Sequence, residues 1–279
     1  MEQADEPPAL TVEDLYGSTW LPDQDIEQIL DQRPAPRGPE MLFDVAAELG
    51  VGPGSRVLDV GCRDGRHVFE LARRFGCLTT GVDPVQANLQ QGEAALDKIK
   101  VEEPEVARLV QLVRGRIESL PFVDAAFDLV WARDMLIHVE DLAAGLRESK
   151  RVLAPHGHVL IFQMFATPWL GPAEAQRLWP SLAAVPRNTD PEYFESSVAQ
   201  AGFTIASRQD IGSEWREFGE DHDDHRTSRQ LLRAARLIRG REALVAKLGR
   251  AAYEAELANS LWGVYQMIGK LSGRIYVLV

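Results

Sequence analysis

The stretch Val57-Leu-Asp-Val-Gly-Cys-Arg-Asp-Gly-Arg-His67 decides the fold. It begins as a short apolar run, which is typical of a buried strand, and continues into a turn that contains Gly61 and Gly65. Residues 66–75 then repeat apolar side chains with the spacing of one helix face. Glycines let the main chain of such a turn approach a ligand closely, and the free amides at the start of the helix face that ligand. The stretch therefore predicts a strand–turn–helix unit with a binding site at the turn.

The same alternation of strand and helix continues along the chain. Alternating strands and helices favour parallel β-α-β units. We therefore predict an α/β, Rossmann-like fold, in which a seven-stranded, mostly parallel sheet has helices on both faces and an antiparallel last strand. The predicted strands cover residues 55–61, 78–82, 109–113, 127–131, 158–162, 204–210 and 274–279.

The chain divides into three predicted parts. Residues 1–36 are acidic, contain several prolines and predict an N-terminal arm or lid. Residues 37–211 and 274–279 predict the Rossmann-like core. Residues 212–273 are mostly helical by their periodicity and predict a helical insertion before the last strand. Because loops at the carboxyl edge of such a sheet carry the ligand site, we expect this insertion to cover the pocket.

The composition narrows the class of protein. The 279 residues carry a net charge of −12, which disfavours a nucleic-acid partner because phosphate binding needs a clustered basic surface. No apolar run is long enough for a membrane span, and the N-terminus lacks a signal pattern. Two cysteines are too few for a disulfide scaffold. We therefore expect a cytoplasmic protein without a membrane or nucleic-acid partner.

Two aspartates point to the kind of ligand. Asp83 stands at the tip of the second predicted strand, where a carboxylate can accept both hydroxyls of a ribose. Asp59 lies two residues before Gly61, close enough to orient an ammonium group. A dinucleotide turn would need three glycines, but Arg63 occupies the position of the second. A ligand with a ribose end and an amino-acid end fits these residues better than a pyrophosphate.

Together with further motifs, this pattern resembles the class I S-adenosylmethionine-dependent methyltransferases that act on small molecules. The resemblance covers residues 40 to 163. The motifs that carry it are Val57-Leu-Asp-Val-Gly-Cys-Arg-Asp-Gly65, Gly81-Val-Asp-Pro84, Leu120-Pro-Phe122, Phe127-Asp-Leu-Val-Trp-Ala-Arg-Asp134, His138-Val139 and Arg151-Val-Leu-Ala-Pro-His-Gly157.

The resemblance implies S-adenosylmethionine as the cofactor and gives roles to individual residues. Gly61 with its neighbours Cys62 and Gly65 would contact the methionine part, and the main chain at Arg133 would meet the methionine amine. Asp59 is expected at the same end. Asp83 would hold the ribose hydroxyls, and Pro84 would pack near the adenine.

The adenine contact departs from the family pattern. An acid often precedes the Leu-Pro-Phe motif and meets the adenine amino group, but this chain has Arg116 in that position. The Ile117 amide or the Glu118 carboxylate are the substitutes we expect there.

Residues near the acceptor are predicted from their positions after strands. His138 follows the fourth strand and is the candidate general base, because its ordinary pKa is near neutrality; the alternative is a structural or pocket-lining role. Asp134 would orient an amine acceptor, or else form a salt bridge or helix cap. The other predicted acceptor residues are Tyr16, Trp20, Gln163, Phe165 and Trp215.

The predicted function is methyl transfer from S-adenosylmethionine to an oxygen, nitrogen or carbon atom of a small metabolite or natural product. A non-catalytic S-adenosylmethionine-binding regulator is the alternative that Arg63 and Arg116 would favour, and a nicotinamide-dependent oxidoreductase is a weaker one. The stretch Glu220-Asp-His-Asp-Asp-His225 predicts an acidic loop that caps a helix, and no metal is expected. The C-terminal strand and the insertion could mediate a homodimer.

Overall fold

The computed structural model describes residues 11–17, 23–30, 38–222 and 225–279. The chain forms two separate units, residues 1–36 and residues 37–279. The first unit contains helices α1 (Val12–Tyr16) and α2 (Asp23–Leu30). Thr11 caps α1, since its hydroxyl accepts a hydrogen bond from the amide of Asp14 at 3.1 Å. The side chain of Tyr16 is exposed, and Trp20 lies outside the described residues.

The second unit is built on one seven-stranded sheet. Its strand order is β3-β2-β1-β4-β5-β7-β6. The pairs from β3 to β5 are parallel, whereas β7 is antiparallel to both of its neighbours. This architecture confirms the fold predicted from the sequence. The strands are β1 (Arg56–Val60), β2 (Leu78–Asp83), β3 (Val110–Arg114), β4 (Phe127–Arg133), β5 (Leu153–Ala166), β6 (Ile205–Ile211) and β7 (Leu271–Leu278).

Helices cover both faces of this sheet, and those between β6 and β7 form the helical insertion. The helices before β6 are α3 (Met41–Glu48), α4 (Arg66–Phe75), α5 (Gln86–Glu102), α6 (Pro104–Ala107), α7 (Leu142–Val152), α8 (Pro172–Ser181) and α9 (Pro191–Gln200). Two 3₁₀ helices span Leu136–His138 and Pro186–Thr189. The insertion contains α10 (Glu214–His222), α11 (Arg226–Arg239), α12 (Arg241–Leu248) and α13 (Arg250–Met267).

Alternate residues of each strand enter different cores. In β4, Val130 and Ala132 pack with α7 and α9 on one face of the sheet. Leu129 and Trp131 pack with α3, α4, α8, α10 and α13 on the other. Because both faces are covered, β4 is buried at nearly every position and reads as a mostly apolar run in the sequence.

Two strands begin at least three residues before their predicted starts. β5 begins at Leu153 rather than at residue 158, because Leu153 already pairs with Phe127 of β4 before a register shift. His156 lies inside this extension with a φ of +68°, in the left-handed region where the family pattern has glycine. β7 begins at Leu271, where it pairs with Ala166. Within the described part of the chain, no helix is long and apolar enough to cross a membrane.

Candidate active site

The turn between β1 and α4 brings main-chain atoms to the carboxyl edge of the sheet. Gly61 has a φ of +70°, and its amide donates a hydrogen bond to the carbonyl of Val82 at 2.8 Å. A Cβ atom at Gly61 would lie 2.9 Å from the side chain of Met135, so the turn has no room for one. Gly65 has a φ of +79° and caps α4. The turn is therefore shaped as a cradle of main-chain groups.

Asp83 is fixed beside this turn by three hydrogen bonds. Its carboxylate accepts from the amides of Arg63 at 3.0 Å and Val85 at 2.9 Å, and from the side chain of Asn88 at 3.1 Å. A carboxylate offers about four lone-pair positions, so capacity for one further donor remains. Holding both ribose hydroxyls would require one present donor to leave. The Asn88 amide is a side-chain group, so it can leave without breaking the turn.

Asp59 carries a buried oxygen without a partner. The residue is 2% exposed, and no hydrogen bond reaches Oδ2 from the described residues. Burial raises the pKa of Asp59 well above its ordinary value; the nearby Asp83 raises it further, while Arg133 opposes the shift. An unpaired buried carboxyl oxygen is costly, and a ligand ammonium group would satisfy it. With Asp83 and the glycine turn, it forms a set that fits S-adenosylmethionine.

Arg133, at the end of β4, faces the first turn of α4. Its guanidinium donates a hydrogen bond to Nε2 of His67. Burial lowers the pKa of His67 to about 3, with the positive charges of Arg133 and Arg66 adding to the effect. His67 is therefore neutral and acts as the acceptor.

A cavity of about 530 Å³ opens next to these groups. Residues from the ends of β4 and β5 form one wall, and helices of the insertion form the facing wall. Trp215 of α10 stacks on Phe162 of β5, with ring centroids 4.4 Å apart. The lining residues with most direct bearing on ligand binding are Arg133, Asp134, Phe162, Met164, Trp215 and Trp262.

Asp134 lies in the wall of this cavity in a strained main-chain conformation. Its φ is +51°, and its amide donates to the carbonyl of Phe162 at 2.7 Å. Burial raises the pKa of Asp134 to about 7; Arg133 opposes the shift, as do hydrogen bonds from Met164 and Trp262 and the charge of Arg216. Its Oδ1 atom has no partner among the described residues. A carboxylate that titrates near neutrality and has a free oxygen can hold a cation or accept a proton.

The structure brings Asp134 and Trp215 to the cavity but not Gln163 or Phe165. Phe162 and Met164 take their place, because side chains alternate between the two faces of β5. Gln163 is fully buried on the opposite face, where its amide donates to the carbonyl of Asn188 at 3.1 Å. Phe165 lies in the core on that face as well.

The remaining residues predicted to contact the cofactor have defined environments. Arg116 and Glu118 form an ion pair at 3.0 Å, and the Arg116 side chain is largely exposed. Ile117 is buried in the core next to α7. The side chain of Cys62 is packed with Val68 rather than directed outward. Their cofactor contacts, and that of the exposed Pro84, stay predictions.

His138 lies outside the cavity lining. It ends a 3₁₀ helix, its side chain is exposed, and its Nδ1 atom is 3.1 Å from the carbonyl of Ala183. Its role as a base stays a prediction, as does the lid role of Tyr16 and Trp20.

The carboxylate of Glu220 has a structural role at the start of α11. Its Oε1 atom accepts hydrogen bonds from the amides of Thr227 at 2.7 Å and Ser228 at 3.2 Å, so it caps the start of α11. No group of three or more possible metal ligands occurs in residues 11–17, 23–30, 38–222 and 225–279.

Several lining residues were missed by the sequence reasoning. His67 and Arg66 directly follow the glycine turn, and their place in the first turn of α4 was a usable signal. Arg216 and Arg226 belong to the insertion, whose packing against the sheet has no signature in the sequence.

Comparisons with known proteins agree with this geometry. Residues 58–161 match a family model described as a methyltransferase domain. The glycine/sarcosine/dimethylglycine N-methyltransferase of Actinopolyspora halophila is 32% identical over 123 residues, which are 44% of this chain and 21% of that protein. The O-methyltransferase resE of Aspergillus sclerotiorum is 27% identical over 171 residues, 61% of this chain and 63% of that protein.

The fold is also shared with solved structures. The [4+2]-cyclase SpnF superposes with a TM-score of 0.63 at 21% identity, covering 88% of this chain and 84% of that one. A cyclase among the matches means that the fold alone does not select the reaction.

Residues 58–161 are thus similar to a methyltransferase domain, and the site at the carboxyl edge of the sheet fits the class I S-adenosylmethionine-dependent type. S-adenosylmethionine is its cofactor. The match to each of the two sequence relatives spans less than two thirds of that protein's own length.

Proposed function

We propose that the protein transfers a methyl group from S-adenosylmethionine to an oxygen or nitrogen atom of a small metabolite or natural product. The observation that carries this proposal is Asp134, a residue of the cavity lining whose buried Oδ1 atom has no partner among the described residues. It lies one residue beyond Arg133, whose charge acts on both Asp59 and Asp134. A small-molecule acceptor in the cavity would thus lie beside the methionine end of the cofactor.

The chain's own residues would bind and orient the cofactor. Asp83 would accept hydrogen bonds from the ribose hydroxyls after Asn88 withdraws, and Asp59 would accept from the ammonium group. When bound, S-adenosylmethionine supplies a methyl group already activated by its sulfonium. The residues therefore mainly need to position the two reactants, which can supply a large part of the rate.

Asp134 has the properties of a proton acceptor for the second reactant. An O–H or N–H acceptor would lose its proton as it takes the methyl group, while the sulfur–methyl bond of the cofactor breaks and leaves S-adenosylhomocysteine. The ionised carboxylate of Asp134 would take that proton at Oδ1, and its pKa of about 7 suits this task at neutral pH. His138 is the second candidate for this role. Trp215 and Phe162 would exclude water from the reacting atoms.

Calorimetry with S-adenosylhomocysteine tests the first half of the proposal, since it needs no knowledge of the acceptor. We expect micromolar binding that Asp83→Ala abolishes, and no comparable binding of NAD. Transfer of a radioactive methyl group from S-adenosylmethionine to a panel of phenols and amines tests the second half. Binding of S-adenosylhomocysteine without methyl transfer to any compound of the panel would favour a non-catalytic role. Binding of NAD instead of S-adenosylhomocysteine would overturn the proposal.

A further inference from the structure

The cavity has a surplus of positive charge although the chain as a whole is strongly acidic. Arg74, on α4, is compensated because it pairs with both Glu40 and Glu70. Among the described residues, the other lining arginines form no ion pair with a carboxylate. These uncompensated lining arginines are Arg66, Arg133, Arg216 and Arg226.

The uncompensated arginines lie close enough to repel one another. Burial lowers the pKa of Arg216, and the charges of Arg226 and Arg133 lower it further, while Asp134 and Glu220 oppose the shift. Burial is also the largest cause that lowers the pKa of Arg133; Arg66 and Arg226 add to it, while Asp134 and Asp59 oppose it. The one partner of the Arg216 Nε atom is neutral, the Oε1 atom of Gln266 at 2.6 Å. Arg133 and Arg216 are partly buried, whereas Arg66 and Arg226 are exposed. Partly buried like charges without a counter-ion are costly, so an anion from outside the described chain is expected.

The described cavity lining supplies little negative charge to balance this cluster, although Glu220 and Asp59 act on Arg216 and Arg133 from outside it. Glu40 and Glu70 are already engaged by Arg74, which leaves Asp134 as the remaining acid in the described lining. Its raised pKa means that it is only partly ionised at neutral pH.

The cofactor cannot supply the missing anion either. S-adenosylmethionine carries a sulfonium and an ammonium against one carboxylate, so its net charge is positive. Its carboxylate can engage a guanidinium at the methionine end, where Arg133 lies within electrostatic reach of Asp59. Arg216 and Arg226 belong to the insertion instead, on helices α10 and α11.

We propose that the methyl acceptor carries an anionic group, a carboxylate or a phosphate, which Arg216 and Arg226 bind. Carboxylates and phosphates share the geometry that a guanidinium fork recognises with two parallel hydrogen bonds. This inference rests on the proposed function and adds the class of acceptor to it. The anionic end is held by the insertion, and the reacting O–H or N–H group faces Asp134.

The test uses the full chain saturated with S-adenosylhomocysteine, titrated at low ionic strength with inorganic phosphate and with benzoate. Benzamide is the neutral control, since it has the shape of benzoate without its charge. We expect one of the two anions to bind at least about tenfold more tightly than benzamide. The tighter of the two identifies the kind of anionic group.

Variants connect this binding to the two arginines. Arg216→Gln is expected to weaken the anion about tenfold, and the exposed Arg226→Gln about threefold. Arg233→Gln is the matched control, because Arg233 lies on α11 but pairs with Glu256 outside the cavity. Arg216→Lys keeps the charge and covers the case in which Arg216→Gln does not fold.

The outcomes separate this inference from the proposed function. Unchanged affinity for S-adenosylhomocysteine with no binding of either anion would overturn the inference and leave the function standing. Equal losses of anion affinity in Arg226→Gln and Arg233→Gln would also overturn the inference. A loss of S-adenosylhomocysteine affinity in both the Arg216 and the Arg226 variants would overturn it too. Failure of the unaltered protein to bind S-adenosylhomocysteine would overturn the proposed function itself.

Discussion

The guanidinium of Arg133 donates a hydrogen bond to Nε2 of His67, linking the end of β4 to the first turn of α4. This contact requires a neutral imidazole. Because the pKa of His67 falls from an ordinary value near 6.5 to about 3, the unfolded chain binds a proton in this interval that the folded chain does not. The contribution of His67 to stability is therefore complete above pH 6.5 and is lost as the pH falls toward 3.

His67→Gln should reduce this sensitivity to acid. Glutamine keeps an acceptor for Arg133 but does not titrate. Between pH 8 and pH 5, the free energy of unfolding of the unaltered protein should fall by up to about 2 kcal/mol more than that of the variant. Urea denaturation of both proteins at the two pH values measures this difference in the free energy of unfolding. Parallel losses in both proteins would show that His67 is not the group responsible.

Asp134→Asn should remove the base. We expect kcat to fall about 100-fold or more, because proton transfer to a positioned side chain contributes on this scale. In the unaltered enzyme kcat/KM should fall as the pH drops below about 7, since the ionised carboxylate is the active form. His138→Gln is the comparison. If that variant loses the activity and the pH dependence instead, His138 is the base.

The stability of Asp134→Asn should change in the opposite direction from its activity. The folded pKa lies above the ordinary value, so the stabilising proton is present at acidic pH and is lost as the pH rises through about 7. At pH 8 the variant should therefore be more stable than the unaltered protein by about 1 to 3 kcal/mol. Thermal unfolding monitored by circular dichroism at pH 8 and pH 5 measures the difference, which should shrink at the lower pH.

Asp83→Asn should weaken S-adenosylhomocysteine binding by about 10- to 100-fold, because hydrogen bonds to a charged acceptor are stronger than neutral ones. Asn88→Ala is the matched control. It removes the donor that must leave when the ribose binds, so affinity should stay equal or rise. Calorimetry on both variants checks this, and a comparable loss in Asn88→Ala would mean that Asn88 itself contacts the ligand.

Gly61→Ala should destabilise the protein and reduce cofactor affinity. The new methyl group would meet Met135 at 2.9 Å and hold an unfavourable positive φ, at a cost of about 1 to 3 kcal/mol. Gly50→Ala separates the two effects, since its φ is +81° but no atom lies within 4 Å of the new methyl. That control should cost only about 1 kcal/mol and leave affinity unchanged. Equal losses of stability would mean that the turn relaxes around Met135.

The sheet was predictable because its signals are local. The central strands β1 and β4 are short and mostly apolar and end at a turn, and a carboxylate such as Asp83 marks the edge where parallel strands terminate together. β7 lies between β5 and β6 in the sheet and is antiparallel to both, in agreement with the predicted antiparallel last strand.

The acceptor cavity was only partly predictable, for two physical reasons. β5 is buried on both faces, so its apolar sequence does not say which alternate residues face the cavity. The sequence analysis therefore names Gln163, whereas the adjacent Met164 lines the cavity. The insertion packs against the sheet through tertiary contacts. Neighbours such as Arg216 and Gln266 are distant in sequence, and their meeting leaves no periodic pattern.

The placement of the insertion also separates two kinds of change in evolution. The cofactor is expected at the ends of β1, β2 and β4, whereas α10 to α13 enter the chain after β6, as a single block between two strands. Substitutions, or even a replacement of that block, could therefore retune the choice of acceptor while leaving the donor machinery intact. A lineage that carried this scaffold could acquire new metabolites as substrates one block at a time.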